Sequence, residues 1–345
     1  MKIQDRVYGA IVFDEPVLIE LIESPTLQRL RGVDMGGYYE VYFPGSKHSR
    51  FEHSLGVTWL LRRFGASLEE QVAGLLHDAS HSAFSHAIDY AIASADQATQ
   101  SYQDDVHESY LEKTEVPASV AKHGFLMEHV LDDARHPLKE WDLPDLCADR
   151  IDYILRGGIA YRVISSLQAQ VFLDALGVRD NRWVFRDAVI AREFAELFRY
   201  VNHTFYSNIE TALMFRTTGD WLAYALAQGY VSLPELYTTD EEVIGKVNAY
   251  LETDHELQKF WKRMNRETGY RLDPDGSERK TLCKSRMVDP LCLEAGEIRR
   301  LSEIDPAWGE VVRIESKPKE YTIVFEDVSE FPSGEIDRAA DRCTF

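Results

Sequence analysis

The sequence predicts a mainly α fold with a small α+β region at its C-terminal end, and two observations carry that expectation. Apolar residues recur at helical spacing through six segments between residues 56 and 228, and beyond about residue 235 the texture becomes mixed helix and strand. GVTWLLRRF (56–64) is the first such segment, and SLEEQVAGLLHD (67–78) follows with Ser67 and Glu70 at capping-box spacing. FSHAIDYAIASA (84–95) reads as a third helix, and the polar DQATQSYQDDV (96–106) reads as an exposed loop. LPDLCADRIDYILRGG (143–158) places Pro144 in a first turn and Gly157-Gly158 as a stop. VIAREFAELFRYVNHTFY (189–206) and IETALMFRTTGDWLAYALAQ (209–228) complete the helical series. Further on, 241–264 reads as helical, while EVVRIES and EYTIVFED, separated by Lys-Pro-Lys, read as a β-hairpin. The expected division is a core over 1–235 and a C-terminal helical and β-hairpin lobe over 236–345, suited to an oligomer contact and silent in chemistry.

At 345 residues and 45% hydrophobic, the chain is long enough to bury a large core. No run approaches ~18 consecutive apolar residues and the N-terminus lacks a signal-like segment, so no membrane association is expected and the expected location is cytoplasmic. The four cysteines, Cys147, Cys283, Cys292 and Cys343, form no CxxC pair and read as structural thiols of a reducing compartment. A formal charge of −20 argues against a nucleic-acid backbone as partner. It leaves room for a small phosphorylated ligand, met by a metal and by local cations such as Lys47, Arg50 and Arg150.

Nine of the eleven histidines precede residue 137, including His48, His53, His77, His81, His86 and His107. Imidazole is a metal ligand and moves protons near neutral pH, so this crowding points to metal-dependent chemistry. A metal site in a helical protein gathers imidazoles and carboxylates from several helices. His77-Asp78 fits that need because adjacent ligands can share one ion where a helix ends. Asp89 follows His86 by three residues, which places its carboxylate on the same helical face to hold the imidazole. Asp149, Asp152, Tyr153 and Arg156 form one helical stripe, within which Asp152 and Arg156 also suit a plain i, i+4 ion pair.

HSRFEHSLGV (48–57), AGLLHDASHSAFSH (73–86) and CADRIDYI (147–154) closely resemble three motifs of the HD-domain phosphohydrolases. With ESPTLQRLRGV (23–33), the resemblance is nearest to the deoxynucleoside triphosphate triphosphohydrolase branch. It implies an HD-domain helical core and a single divalent metal held by His53, His77, Asp78 and Asp149. The donor types leave manganese, iron, zinc, nickel and magnesium open. It further implies Arg50 and Arg150 as phosphate contacts, His86 and His107 facing the scissile phosphate with Asp89 and Glu108 as orienting or proton-relay partners, and His81 beside them. It also implies that Tyr153 packs against the Asp149 ligand and that Tyr206 corresponds to a substrate-stacking tyrosine, although Asn208 replaces the histidine of that motif. The implied partners are a small phosphorylated substrate, a nucleotide first, and further copies of the chain in a homo-oligomer.

The chain also departs from the family. Met35 and Gly36 stand where the sugar-contacting glutamine and leucine are found, Gly157 replaces an aspartate, and Tyr8 stands in the Val-His-Gly segment. Phosphate-ester hydrolysis is therefore expected, without a fixed preference for deoxynucleoside triphosphates. Two other readings remain: a di-iron oxygenase using His107 or His123 as an extra ligand, and a non-catalytic nucleotide sensor.

Overall fold

The computed structural model describes residues 1–92, 95–276 and 279–327. Cys343 lies outside these residues, as do positions 93–94 of the expected 84–95 helix. The fold is mainly α, with small sheets. Its longer helices are α1 (Pro16–Glu23), α2 (Arg50–Arg63), α3 (Leu68–Leu76), α4 (Ala148–Ala160), α5 (Ser166–Ala175), α6 (Ala188–Val201), α7 (Ile209–Ala227), α8 (Asp240–Asn248), α9 (His255–Met264) and α10 (Pro306–Glu315). Strands β1 (Lys2–Asp5) and β2 (Gly9–Val12) form an antiparallel pair. β3 (Leu176–Arg179) and β4 (Arg182–Phe185) join β7 (Leu291–Glu294) and β8 (Glu297–Arg300) in the order β3-β4-β7-β8, with β4 and β7 parallel. β5 (Tyr270–Leu272) and β6 (Lys280–Cys283) flank β9 (Lys319–Phe325). Among the described residues no helix is long and apolar enough to cross a membrane.

Helices α2 and α3 start where the sequence marks them. Ser49 accepts the N–H of Glu52 while the Glu52 carboxylate accepts that of Ser49, and Ser67 accepts the N–H of Glu70. Val57, Leu60 and Leu61 of α2 pack with Ile151, Ile154 and Leu155 of α4 and with Phe194 and Phe198 of α6. A separate cluster joins Phe84 and Trp221 to Leu257, Phe260, Met264, Ile323 and Phe325. Each large apolar side chain buried in this way contributes roughly 1.5–3 kcal/mol.

Four local expectations need correction. Of the expected 84–95 helix, the described residues 84–92 form no α-helix. Phe84 and Ser85 have φ of 61° and 47°, a left-handed entry from which only a 3₁₀ turn, Ser85–Tyr90, develops. Residues 96–106 are not simply an exposed loop, since Gln100, Tyr102 and Gln103 are buried. Pro144 precedes α4, which Cys147 opens, and Gly157-Gly158 lie inside that helix. There the absence of a side chain makes room instead: a Cβ on Gly157 would lie 2.5 Å from Tyr206 Oη, and one on Gly158 3.0 Å from Ile164. EVVRIES belongs to α10, because the Asp305 carboxylate caps that helix, Pro306 occupies its first turn and Trp308 buries one face. Strand β9 pairs with β5 and β6 instead of closing a hairpin.

Candidate metal centre and catalytic cavity

Three helices deliver the presumed ligands. α2 carries His53, the C-terminal end of α3 presents His77 and Asp78, and the first turn of α4 carries Asp149. His53 Nε2 lies 3.2 Å from His77 Nε2 and 3.0 Å from Asp149 Oδ1. The Asp78 carboxylate closes the group, with Oδ2 3.7 Å from His53 Nε2 and Oδ1 3.6 Å from His77 Nε2.

The other ring nitrogens explain why these atoms converge. His53 Nδ1 is 2.7 Å from Asp152 Oδ2 and His77 Nδ1 is 2.8 Å from the Gly74 carbonyl, both of which can only accept. Each Nδ1 therefore carries the proton and each Nε2 presents a lone pair towards the carboxylates. Lone pairs and negative charge meeting in a buried place call for a cation, and this donor set of two imidazoles and two carboxylates fits a divalent metal. The same carboxylates attract a proton: burial disfavours charge on His53, but Asp149 and Asp152 outweigh it and raise its pKa to about 9, so a metal at Nε2 competes with protonation there.

Asp152 is itself fastened. Its oxygens accept two hydrogen bonds from Arg156, at 2.8 and 2.9 Å, and a third from Tyr8 Oη at 2.7 Å, while Arg156 also reaches Asp5. The i, i+4 pair expected from the sequence is present and also serves to orient His53. A Cβ on Gly56 would fall inside the Asp152 carboxylate and the Arg156 guanidinium, so glycine is needed where α2 crosses α4.

Asp78, Asp149 and His77 open into a cavity of about 540 Å³. Arg50 lines it, fully buried, donating to Asp78 Oδ2 (2.7 Å), Ser85 Oγ (2.7 Å) and the Met35 carbonyl (3.2 Å). His81 Nε2 lies 3.2 Å from Asp78 Oδ1, and the His81 and His86 rings meet edge to face at 4.9 Å. His86 Nδ1 faces Asp89 Oδ2 at 3.5 Å, because residues i and i+3 eclipse in a 3₁₀ turn. Burial raises the pKa of Asp89 to about 7. Burial, followed by the charge of Arg50, holds His81 and His86 well below the usual imidazole value.

The remaining expected residues are distributed as follows. Met35, Gly36, Tyr153 and Tyr206 line the cavity, with the aromatic rings of Tyr39 and Tyr161 beside them. Arg150 lines it too, but donates to Glu140 (3.0 Å) and to Cys147 Sγ (3.2 Å). Glu140 and Cys147, whose ligand atoms also cluster with that of Asp149, are thus both already bonded to Arg150. His107 and Glu108 both line the cavity, and His107 Nδ1 lies 2.9 Å from Ser80 Oγ, which orients the ring. His123 pairs with Glu20 at 2.8 Å away from the cavity lining, and Lys47 is exposed outside it.

Sequence reasoning missed Lys284 and Arg286, which reach the cavity from the stretch between β6 and β7. The C-terminal region is therefore not silent. Its signal was the alternation in Cys283-Lys284-Ser285-Arg286-Met287, where two cations share one side of an extended segment.

The HD domain family matches residues 50–157, the stretch that carries all four presumed ligands. The chain is 34% identical over 319 residues to the metal-dependent phosphohydrolase cns2 of Cordyceps militaris, covering 89% of this chain and 90% of that one. It is 42% identical over 104 residues to a deoxynucleoside triphosphate triphosphohydrolase of Bos taurus, a match spanning 25% of this chain and 17% of that protein. The crystal structure of a phosphohydrolase from Bacteroides thetaiotaomicron shares the fold, with a TM-score of 0.71 at 19% identity over 93% of this chain and 99% of that one.

Proposed function

The chain belongs to the HD-domain family of metal-dependent phosphohydrolases, and from that premise we propose that it hydrolyses a nucleotide or a small phosphate ester of similar shape. One observation carries this reading: a metal donor set, a histidine–aspartate pair and an aromatic wall meet in a single cavity of about 540 Å³. That volume suits a small molecule, and Tyr153, Tyr161 and Tyr206 offer ring faces to a base or sugar. The partial likeness to a deoxynucleoside triphosphate triphosphohydrolase supports a nucleotide.

His53, His77, Asp78 and Asp149 would hold the divalent ion, which when bound supplies a Lewis acid for a phosphoryl oxygen and lowers the pKa of water. Arg50, clamped by Asp78 and Ser85, brings fixed positive charge to the reacting group without reorganising. His86 is placed to hand a proton to the leaving oxygen, with Asp89 behind it. Burial first, and then Arg50, Arg286 and Lys284, keep His86 neutral; the negative charge of a bound phosphate offsets the cationic part and so favours the protonated acid. Met35, Gly36 and Gly157 leave the sugar end without the side chains that resembling enzymes place there, and selection of the sugar falls to the tyrosines.

The test is chromatography of products after metal-loaded protein meets ribo- and deoxynucleoside mono-, di- and triphosphates, with Asp78→Ala as control. Phosphate-containing products that disappear with Asp78→Ala are expected. Silence toward every phosphate ester with every metal overturns the reading.

A further inference from the structure

Beyond β6 the chain runs extended, and its alternate side chains Cys283, Ser285 and Met287 are buried while Lys284 and Arg286 line the cavity. The segment is firmly tied. Asn202 Oδ1 accepts the Arg286 N–H at 3.1 Å, and Asn202 Nδ2 donates to Ser285 Oγ at 2.9 Å.

The other cations of the cavity already have carboxylate partners: Arg50 has Asp78, Lys139 has Asp133 and Arg150 has Glu140. Lys284 Nζ donates to the Thr99 carbonyl at 2.6 Å. Among the described residues neither Lys284 nor Arg286 is ion-paired, and the Arg286 guanidinium has no hydrogen-bond partner. Asp104 and Asp89 act on Lys284 only from beyond ion-pair distance, and two neighbouring, half-buried cations without a direct carboxylate partner are unfavourable unless an anion joins them. Burial and the adjacent Arg286 accordingly lower the pKa of Lys284 to about 8.

Their position adds direction. His81 links Asp78 to His86, and Arg286 and Lys284 stand with Arg50 among the charges acting on His86. We propose that Lys284 and Arg286 form an anion subsite, separate from the metal ligands, that holds a second phosphoryl group of the substrate. The favoured substrate class is then a nucleotide with two or more phosphates. This rests on the phosphohydrolase reading for its substrate, and the C-terminal region becomes part of the binding cavity.

The experiment uses the full, metal-loaded chain, with inorganic pyrophosphate and orthophosphate as calorimetric probes and the KM values of nucleoside mono- and diphosphates as a second readout. Arg286→Ala is expected to weaken pyrophosphate binding at least about tenfold, with orthophosphate changed less than about twofold. Arg286→Lys should recover part of the loss. Melting curves establish that the variants are folded, and Lys284→Gln carries the comparison if Arg286→Ala is not. The proposal is overturned if wild type binds pyrophosphate no tighter than orthophosphate, or if the folded variants weaken both probes equally or neither. Absence of any turnover sinks the hydrolase reading while pyrophosphate binding still decides the subsite. Turnover confined to monophosphates and indifferent to Arg286 sinks the subsite alone.

Discussion

His53 has one nitrogen for structure and one for chemistry. Because Asp152 holds Nδ1 at 2.7 Å, the orientation of Nε2 depends on a carboxylate that touches no ligand position itself. Asp152→Asn should therefore weaken metal affinity about 10- to 100-fold, read by competition with a chelator, and unchanged affinity would count against the orienting role. His86→Gln is expected to lower kcat about 100-fold or more while the metal content stays at the wild-type level. Loss of metal in that variant would instead make His86 a ligand. Both residues were singled out by resemblance, His53 through HSRFEHSLGV and His86 through AGLLHDASHSAFSH, and the spacing of Asp89 to His86 added its partner. Ser80 as the partner of His107 was not legible in the sequence, because nothing in local spacing distinguishes a serine that turns inward from one facing solvent.

The helices show where local rules hold and where packing overrides them. α2 begins at a complete capping box, so Ser49→Ala should cost about 1 kcal/mol in denaturant unfolding. Gly56 lies further along the same helix, and there the constraint is tertiary. Gly56→Ala should destabilise by about 1–3 kcal/mol and also reduce bound metal, because the added methyl displaces Asp152 and Arg156. An alanine variant with full metal content and wild-type stability would show that the two helices can move apart. The 84–95 segment has helical periodicity, yet two left-handed residues at its start leave a 3₁₀ turn over Ser85–Tyr90. EVVRIES looks like a strand by its β-branched residues, but the Asp305-Pro306 start and buried Trp308 decide for helix.

Across the whole molecule, residues after 235 also help to build the site. Asp240, at the start of α8, accepts the N–H of Asp34 at 2.8 Å and that of Phe84 at 2.8 Å, tying the loop before Arg50 to the turn that carries His86. Burial raises the Asp240 pKa to about 7, and burial together with the charge of Asp240 raises that of Asp34 to about 8, from an ordinary value of 3.8. The folded chain thus binds more protons than the unfolded one in between, so this stabilisation is present in acid and is lost as pH rises through 7 and 8. Asp34→Asn should flatten that decline when unfolding is compared at about pH 5 and about pH 8.5, and an unchanged slope would rule the pair out as its source. By itself the sequence determined the helical class, because caps and periodicity are coded within a few residues, while the presumed ligands were named by its resemblance to the HD-domain motifs. Only the tertiary structure decided that Lys284 and Arg286 face the cavity, that Tyr206 fills the space left by Gly157 and that Asp34 meets Asp240. Those placements join parts of the chain far apart in sequence, and pairing at such separations leaves no local pattern to read.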